Sequence, residues 1–271
     1  MSDCSHKRTS VTLSDVQRVY SGPECTLWEL VMGEQIHVGG MSSSLELANR
    51  AGLMSGMRGV DLCCCLGAGM RLLARFFSVR MSGVDATASV LDEARKRTEA
   101  AGMSDVLDYA LADVTALPFA GGEFDFVWGE DAWCYVEDKR KLVAEAARVL
   151  KPGGKIAFTD WIEGPTGLTR NEALRINTFM KFPYMETFDG YKALLESSGF
   201  EVTEAEDLTP GFAKACDFYI QMLSEQHTSD ALRILGWNME LFQAMGAEMD
   251  FMRTRAHEGK MGRGRFIAVK R

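Results

Sequence analysis

The sequence predicts an α/β protein with a doubly wound, mostly parallel sheet. Apolar segments typical of buried strands alternate with amphipathic helical segments four times between Gly59 and Trp161, a pattern typical of repeated βαβ units. The glycines Gly67 and Gly69 allow a sharp turn from the first strand into its helix. With 271 residues, the chain can bury one such core and carry additional helical segments.

Composition excludes several classes of protein. The net charge of −8 argues against a nucleic-acid surface, because phosphate binding needs concentrated lysine and arginine. No apolar run reaches membrane-spanning length, and the polar start is not typical of a signal peptide, so we expect a cytoplasmic protein without membrane contact. Seven cysteines, an odd number with three in a row, do not resemble a disulfide framework.

The N-terminal 40 residues predict a lid over the core. A helical pattern runs from Ser14 to Tyr20, and an aromatic, apolar segment around Trp28 ends at Gly39 and Gly40. A further helix, Ser43 to Ala51, precedes the first strand of the core. We expect the core to span residues 41–163.

The segment from Gly59 to Thr87 predicts a site for a nucleoside cofactor. The strand that starts at Val60 leads through the glycine turn into a helix, and a second strand ends at Asp85. Backbone N–H groups at a helix N-terminus bind carboxylate or phosphate well. Asp85 follows the turn at close to the ~20-residue interval at which an acid meets ribose hydroxyls.

The remaining core elements follow in order. We predict a helix after Asp85, with Ser89 as its N-cap. We also predict a helix from about Asp138 to Leu150, which ends at the helix-breaking segment Lys151–Gly154. The predicted strands are Val106–Leu111, Phe124–Trp128 and Lys155–Trp161, and acids follow two of them: Asp113 after the first, and Glu130 and Asp131 after the second.

The C-terminal part combines a cap with the end of the core. Residues 164–190 have an irregular, aromatic pattern that predicts an insertion. Residues 191–271 predict a helix (Tyr191–Ser197), a strand (Phe200–Asp207), a Met- and Phe-rich helical segment (Gly211–Glu258) that caps the substrate, and a last strand (Phe266–Val269).

Five motifs in this order resemble the class I S-adenosylmethionine-dependent methyltransferases. They are DLCCCLGAGMR, GVDAT, ALADVTALPF, EFDFVWGEDAWCYVEDK and RVLKPGGKIAFTDW, within residues 59–161. The resemblance implies a Rossmann-like sheet of the seven-stranded methyltransferase type. It also implies S-adenosyl-L-methionine as cofactor and methyl transfer to a small molecule.

A narrower resemblance concerns the branch that methylates sarcosine and dimethylglycine to betaine. GEQIHVGG, WGEDAW and the late Met- and Phe-rich helices carry it, and it implies an amino-acid-like amine as acceptor. The chain departs from the family at Cys63 and Cys65, where glycine is usual, and from the branch at Tyr135, where histidine is common.

The family resemblance also implies roles for the cofactor residues. Asp85 binds ribose, Asp113 receives the adenine amino group, and Arg71 pairs with the methionyl carboxylate. The alternative is that Asp85 and Asp113 only cap loops. The full predicted set is Tyr20, Cys63, Gly67, Gly69, Arg71, Asp85, Ala86, Asp113, Val114 and Glu130.

For the acceptor, aromatic faces would stabilise a quaternary ammonium product. We predict substrate contacts from Trp28, Trp133 and Tyr184, with Trp161 a further aromatic candidate. Predicted catalytic residues are His37, Asp131 and Tyr135. Candidate partners for a substrate carboxylate are Arg175, Arg263 and Arg265.

Several alternatives stay open from sequence. The methyl acceptor could instead be an oxygen or carbon nucleophile. The chain could also be an inactive cofactor-binding scaffold or a dehydrogenase. The sequence also leaves open whether the protein forms a homodimer. His6, His227 and His257 show no metal-ligand spacing, so we expect no metal. We interpret the three adjacent cysteines as small core residues, because consecutive side chains diverge.

Overall fold

The structure is a computed structural model that describes residues 7–271. His6 and the first six residues of the predicted lid lie outside this range. Within it, eight strands form one sheet in the order β3-β2-β1-β4-β5-β8-β7, with β6 paired to β5. The strands are β1 (Arg58–Leu62), β2 (Arg80–Asp85), β3 (Leu107–Leu111), β4 (Phe124–Glu130), β5 (Leu150–Glu163), β6 (Glu186–Thr187), β7 (Phe200–Asp207) and β8 (Met261–Lys270).

Helices cover both faces of this sheet, as the sequence predicted for a doubly wound fold. One face packs against α3, α4 and α5, and the other against α6 and α8. The helices are α1 (Leu13–Tyr20), α2 (Pro23–Met32), α3 (Gly40–Ala51), α4 (Ala68–Phe77), α5 (Ala88–Ala100), α6 (Lys139–Val149), α7 (Arg170–Met180), α8 (Phe188–Ser197), α9 (Thr209–Gln221), α10 (Thr228–Ile234) and α11 (Met239–His257).

A second apolar core lies above the carboxyl ends of the strands. Leu27 and Val31 of α2, Ile176 of α7, Phe212 of α9 and Met252 of α11 belong to one buried cluster. The predicted lid, the predicted insertion and the C-terminal helices therefore share a single cap core. Among residues 7–271 no helix is long and apolar enough to cross a membrane.

Two segments are more regular than predicted. The segment around Trp28 is the helix α2, which starts with Pro23 at a first-turn position, where proline's missing N–H costs nothing. The insertion contains α7, which begins with a capping box between Thr169 and Glu172. The sequence carried this signal, Thr-x-x-Glu, and the prediction overlooked it.

Three predicted boundaries are wrong. Thr87, not Ser89, is the N-cap of α5, and the Ser89 hydroxyl is hydrogen-bonded to Ser21. The helix α6 ends at Val149, just before the predicted break at Lys151–Gly154. The strand after it starts at Leu150, which pairs with Phe124, and not at the predicted Lys155. The last strand starts at Met261 because it runs antiparallel along β5 over nine residue pairs.

Candidate functional site

A cavity of about 250 Å³ lies above the carboxyl ends of β1, β2 and β4. β1 pairs with β2 on one side and with β4 on the other, so the strand order reverses at β1. Open α/β sheets bind ligands at this kind of position. The N-terminal segment closes the cavity from above, since Leu13, Val16 and Ile36 belong to its wall.

The turn between β1 and α4 forms the floor of the cavity. Cys63 and Cys65 have left-handed backbones, with φ of 66° and 46°, a conformation that glycine adopts more easily. The N–H groups of Cys63 and Cys64 both donate to the Val84 carbonyl. This arrangement turns the chain sharply into α4, so the N-terminus of that helix faces the cavity.

Gly67 is the N-cap of α4 and has a φ of 69°. A Cβ there would lie 2.3 Å from the Tyr109 hydroxyl, so no side chain fits. A Cβ at Gly69 would point toward Glu130 and Asp61, two acids of the cavity wall. The missing side chain at Gly69 therefore leaves ligand space.

Asp85 ends β2 and lines the cavity. Its two oxygens accept hydrogen bonds from the N–H groups of Cys65 (3.1 Å) and Thr87 (2.8 Å). Burial raises the pKa of the Asp85 carboxyl, although these backbone hydrogen bonds oppose the rise. Asp85 thus holds the turn, and each carboxylate oxygen keeps a further lone pair for a ligand hydroxyl.

Asp113, Val114 and Ala86 line the same part of the cavity. One oxygen of Asp113 accepts hydrogen bonds from the N–H and the hydroxyl of Thr115, both at 2.8 Å. Asp85 and Asp113 therefore cap loops and also face the cavity, so the two alternatives are compatible.

Arg71, which we predicted to pair with the methionyl carboxylate, does not line the cavity. Its guanidinium donates to the Leu66 carbonyl and to the carboxylate of Glu34, and Glu34 rather than Arg71 lines the cavity. In this structure Glu34 is therefore the carboxylate partner of Arg71, the role that we predicted for the methionyl carboxylate. Backbone N–H groups at the start of α4 are the anion donors that the cavity offers directly.

His37, Ser44 and Glu130 form a buried hydrogen-bonded array. His37 Nε2 lies 2.9 Å from Ser44 Oγ, and Ser44 Oγ donates to Glu130 Oε2 at 2.9 Å. Glu130 Oε1 lies 3.3 Å from His37 Nε2, but without hydrogen-bond geometry. This buried oxygen therefore has no hydrogen-bond partner among residues 7–271, which suits a cationic or N–H-bearing ligand.

Asp131, directly after β4, and Arg263 of β8 form a buried ion pair. Arg263 Nε donates to Asp131 Oδ1 at 2.7 Å, and the N–H of Val38 donates to Oδ2 at 2.8 Å. Asp131 also has a left-handed backbone, with φ of 52°. The carboxylate of Asp131, which we predicted as a catalytic residue, is therefore already hydrogen-bonded on both oxygens.

A smaller chamber of about 20 Å³ adjoins the cavity. The Tyr20 hydroxyl donates to the Tyr135 hydroxyl at 3.0 Å, and the two rings stand edge to face. Burial raises the pKa of both phenols. The chamber and the cavity share four wall residues, Tyr20, Ile36, Asp131 and Tyr135, and Trp28, Met32, Trp161 and Met180 complete the chamber.

Trp133 and Tyr184 do not line either space. Trp133 is fully buried, stacks on Phe158 and donates to the Leu62 carbonyl. Lys139 lies over the ring of Tyr184, 3.8 Å from the centroid. Both aromatic side chains support the walls from behind, in contrast to their predicted contact with substrate.

The other candidates lie away from the cavity. Arg175 pairs with Glu248, and Arg265 pairs with three glutamates. His257 contacts Asp217 at the surface, and no cluster of metal-ligand side chains occurs among residues 7–271. Burial raises the pKa of Cys63 and Cys64, and a hydrogen bond with Cys25 raises that of Cys65, so all three remain neutral thiols.

The sequence reasoning missed Asp61, which lines the cavity. Burial raises the pKa of its carboxyl well above the ordinary value, and the negative charges of Glu130 and Asp85 raise it further. A carboxylate destabilised in this way gains from a cation placed beside it. Its position near the end of β1, two residues before the turn, was the available signal.

Comparison with known proteins identifies the type of domain in this chain. Residues 60–158 match the family model described as a methyltransferase domain. The chain therefore contains a class I S-adenosylmethionine-dependent methyltransferase domain. Its cofactor is S-adenosylmethionine, and its similarity to other methyltransferases extends beyond the matched domain.

Three proteins illustrate this similarity. Methyltransferase GfsG of Streptomyces halstedii is 27% identical over 73% of this chain and 74% of its own length. Phosphoethanolamine N-methyltransferase 1 of Triticum aestivum is 26% identical over 95% of this chain, which spans about half (50%) of that protein. A protein of Galdieria sulphuraria, proposed to be a sarcosine dimethylglycine methyltransferase, has the same fold, with a TM-score of 0.83, 21% identity and coverage of 92% and 98% of the two chains.

Proposed function

We propose that this methyltransferase acts on a small-molecule amine that binds between the cofactor cavity and the aromatic chamber. The carrying observation is that the aromatic chamber shares the wall residues Tyr20 and Tyr135 with the acid-lined cavity. Aromatic faces and carboxylates both stabilise the positive charge that an amine keeps after methylation.

The cavity residues suit S-adenosylmethionine. Asp85 would bind the ribose hydroxyls, and Asp113 and Val114 would contact the adenine. Asp61 and the unpartnered oxygen of Glu130 would face the positive charges of the ligand. When bound, the cofactor supplies a methyl group on a sulfonium, and attack on that methyl needs neither a metal nor a covalent enzyme intermediate.

The protein's own contribution would be positioning, exclusion of water and acceptance of a proton. The lid residues Val16 and Ile36 cover the cavity, which keeps water away from the reacting atoms. A protonated amine has no free lone pair, so a base is needed near it. Glu130 Oε1, which has no hydrogen-bond partner among residues 7–271, is the proton acceptor that we propose, and His37 orients this carboxylate through Ser44.

The same array supports a second candidate, an oxygen acceptor. Removing a proton from a hydroxyl needs a base in the same place, and the phenols of Tyr20 and Tyr135 could hold a hydroxyl group by hydrogen bonds. The third alternative is an inactive cofactor-binding scaffold. Methylation of any acceptor by the purified protein would exclude it.

A screen with labelled donor separates these candidates. Purified protein would be incubated with labelled S-adenosylmethionine and sets of amines, phenols and thiols between pH 7 and pH 10. We expect methylation of an amine at a rate that rises with pH, because a free amine with a pKa near that of lysine, roughly 10, is mostly protonated at pH 7. Methylation of phenols or carbon acids and of no amine would contradict the proposal.

A further inference from the structure

The walls of both chambers carry an unbalanced set of charges. Eight carboxylate side chains line the cavity, and none of the described residues that line either chamber is lysine or arginine. Among these acids, Glu34 and Asp131 are paired with Arg71 and Arg263, and burial raises the pKa of Asp61 well above its ordinary value. The cofactor itself brings two positive groups and one carboxylate. The space left for the acceptor therefore offers an anion no lysine or arginine among the described wall residues, and Asp131 is the charged side chain of the smaller chamber.

Two cations that neighbour wall residues are already paired. Arg71 is held by Glu34 and the Leu66 carbonyl. Lys139 donates to the carbonyls of Val136 and Tyr184, and burial lowers its pKa to about 8. An anionic group on an acceptor would find neither of them free.

Arg263 is the arginine whose partner lines both chambers, and it is fully engaged. Its Nε donates to Asp131, and its two terminal nitrogens donate to Ser43 Oγ at 2.9 Å and Thr159 Oγ1 at 2.8 Å. The side chains of Asp131 and Arg263 are 2% and 5% exposed. Asp131 thus places its carboxylate between the arginine and the chamber.

We infer that the acceptor carries no carboxylate or phosphate group, and that Asp131 determines this specificity by neutralising Arg263. The inference rests on the proposed function and narrows its substrate class to amines with an uncharged or cationic remainder. It separates this chain from a phosphoethanolamine or dimethylglycine methyltransferase, whose named acceptors bear an anion. Like charges at close range in a poorly solvated site repel strongly.

The test compares acceptors in matched pairs. Each pair shares the nucleophile and differs only in the anion: N,N-dimethylethanolamine against dimethylglycine and against phosphorylated dimethylethanolamine, and further amines and phenols against their carboxylated analogues. Calorimetry with S-adenosylhomocysteine comes first, because absent binding would refute the proposed function itself. With binding present, we expect kcat/KM of the uncharged member to exceed that of the anionic member by roughly tenfold or more.

The variant Asp131→Asn tests the assigned residue. It leaves Arg263 without its negative partner, so we expect the preference for the uncharged member to shrink or reverse, mainly through a lower KM for the anion. A merely structural role would lower turnover of both members equally. Wild-type turnover of an anionic acceptor as efficient as that of its uncharged twin would overturn the inference, even if the variant does not fold, and would leave the cofactor assignment intact.

Discussion

The two ends of the cavity are built differently. At the cofactor end, β1, the turn and β2 supply the floor from one continuous segment, and Asp85 holds that turn by bonds to Cys65 and Thr87. At the proposed acceptor end, the aromatic chamber is assembled from parts of α1, α2, β5 and the loop after β4. A ligand pocket made from one local motif tolerates changes in the cap, whereas the acceptor chamber exists only when the whole cap is packed.

Trp133→Ala should have the largest effect, and the effect should be on stability. The side chain is fully buried, stacks on Phe158 and donates to the Leu62 carbonyl, so its removal should cost about 3–5 kcal/mol of unfolding free energy. Urea denaturation of the variant checks this. Trp237→Ala, at a site 64% exposed, is the control and should change stability little. A stable variant that had lost only acceptor turnover would restore the substrate role predicted from sequence.

A pair of glycine substitutions compares the two regions directly. Gly67→Ala places a Cβ 2.3 Å from the Tyr109 hydroxyl in a left-handed backbone, and should cost roughly 2–4 kcal/mol and weaken cofactor binding. Gly246→Ala in α11 meets no atom within 4 Å and should stabilise by up to about 1 kcal/mol. Thermal melting with and without S-adenosylhomocysteine measures both. Equal effects at the two sites would contradict the claim that the cofactor turn is sterically constrained.

The smallest effect is expected for the double variant Cys63→Gly and Cys65→Gly. Both positions have positive φ, so glycine relieves backbone strain while the variant loses two partly buried thiols. We expect cofactor affinity that is unchanged or improved, measured by calorimetry. Retained cofactor binding with lost turnover would instead point to a function of the thiols.

The fold was predictable because its signals are local. Strand and helix periodicity, the glycine turn and the acids after the strands are all recognisable within short segments. Every strand that we predicted belongs to the sheet of the structure. The acceptor end was not predictable in the same way. Trp133 and Tyr184 carry the same aromatic character as Trp28, and only packing decides that Trp28 faces the chamber whereas Trp133 stacks in the core.

Long-range ion pairs were equally hidden. Arg263 is a reasonable partner for a substrate carboxylate until the structure places it on Asp131, which is 132 positions away in the chain. Arg71 is likewise ion-paired with Glu34 of the lid. The sequence shows which charged residues exist, but their pairing depends on how the cap closes over the sheet.

Calorimetry with S-adenosylhomocysteine on the wild type and Asp85→Ala tests the central claim most directly. Asp92→Ala, an exposed position on α5, is the matched control, and circular dichroism verifies the fold. Loss of two charge-assisted hydrogen bonds to ribose should weaken binding by on the order of 100-fold or more, whereas the control should bind as the wild type does. Unchanged affinity in a folded Asp85→Ala variant would contradict the assignment of this cavity as the cofactor site.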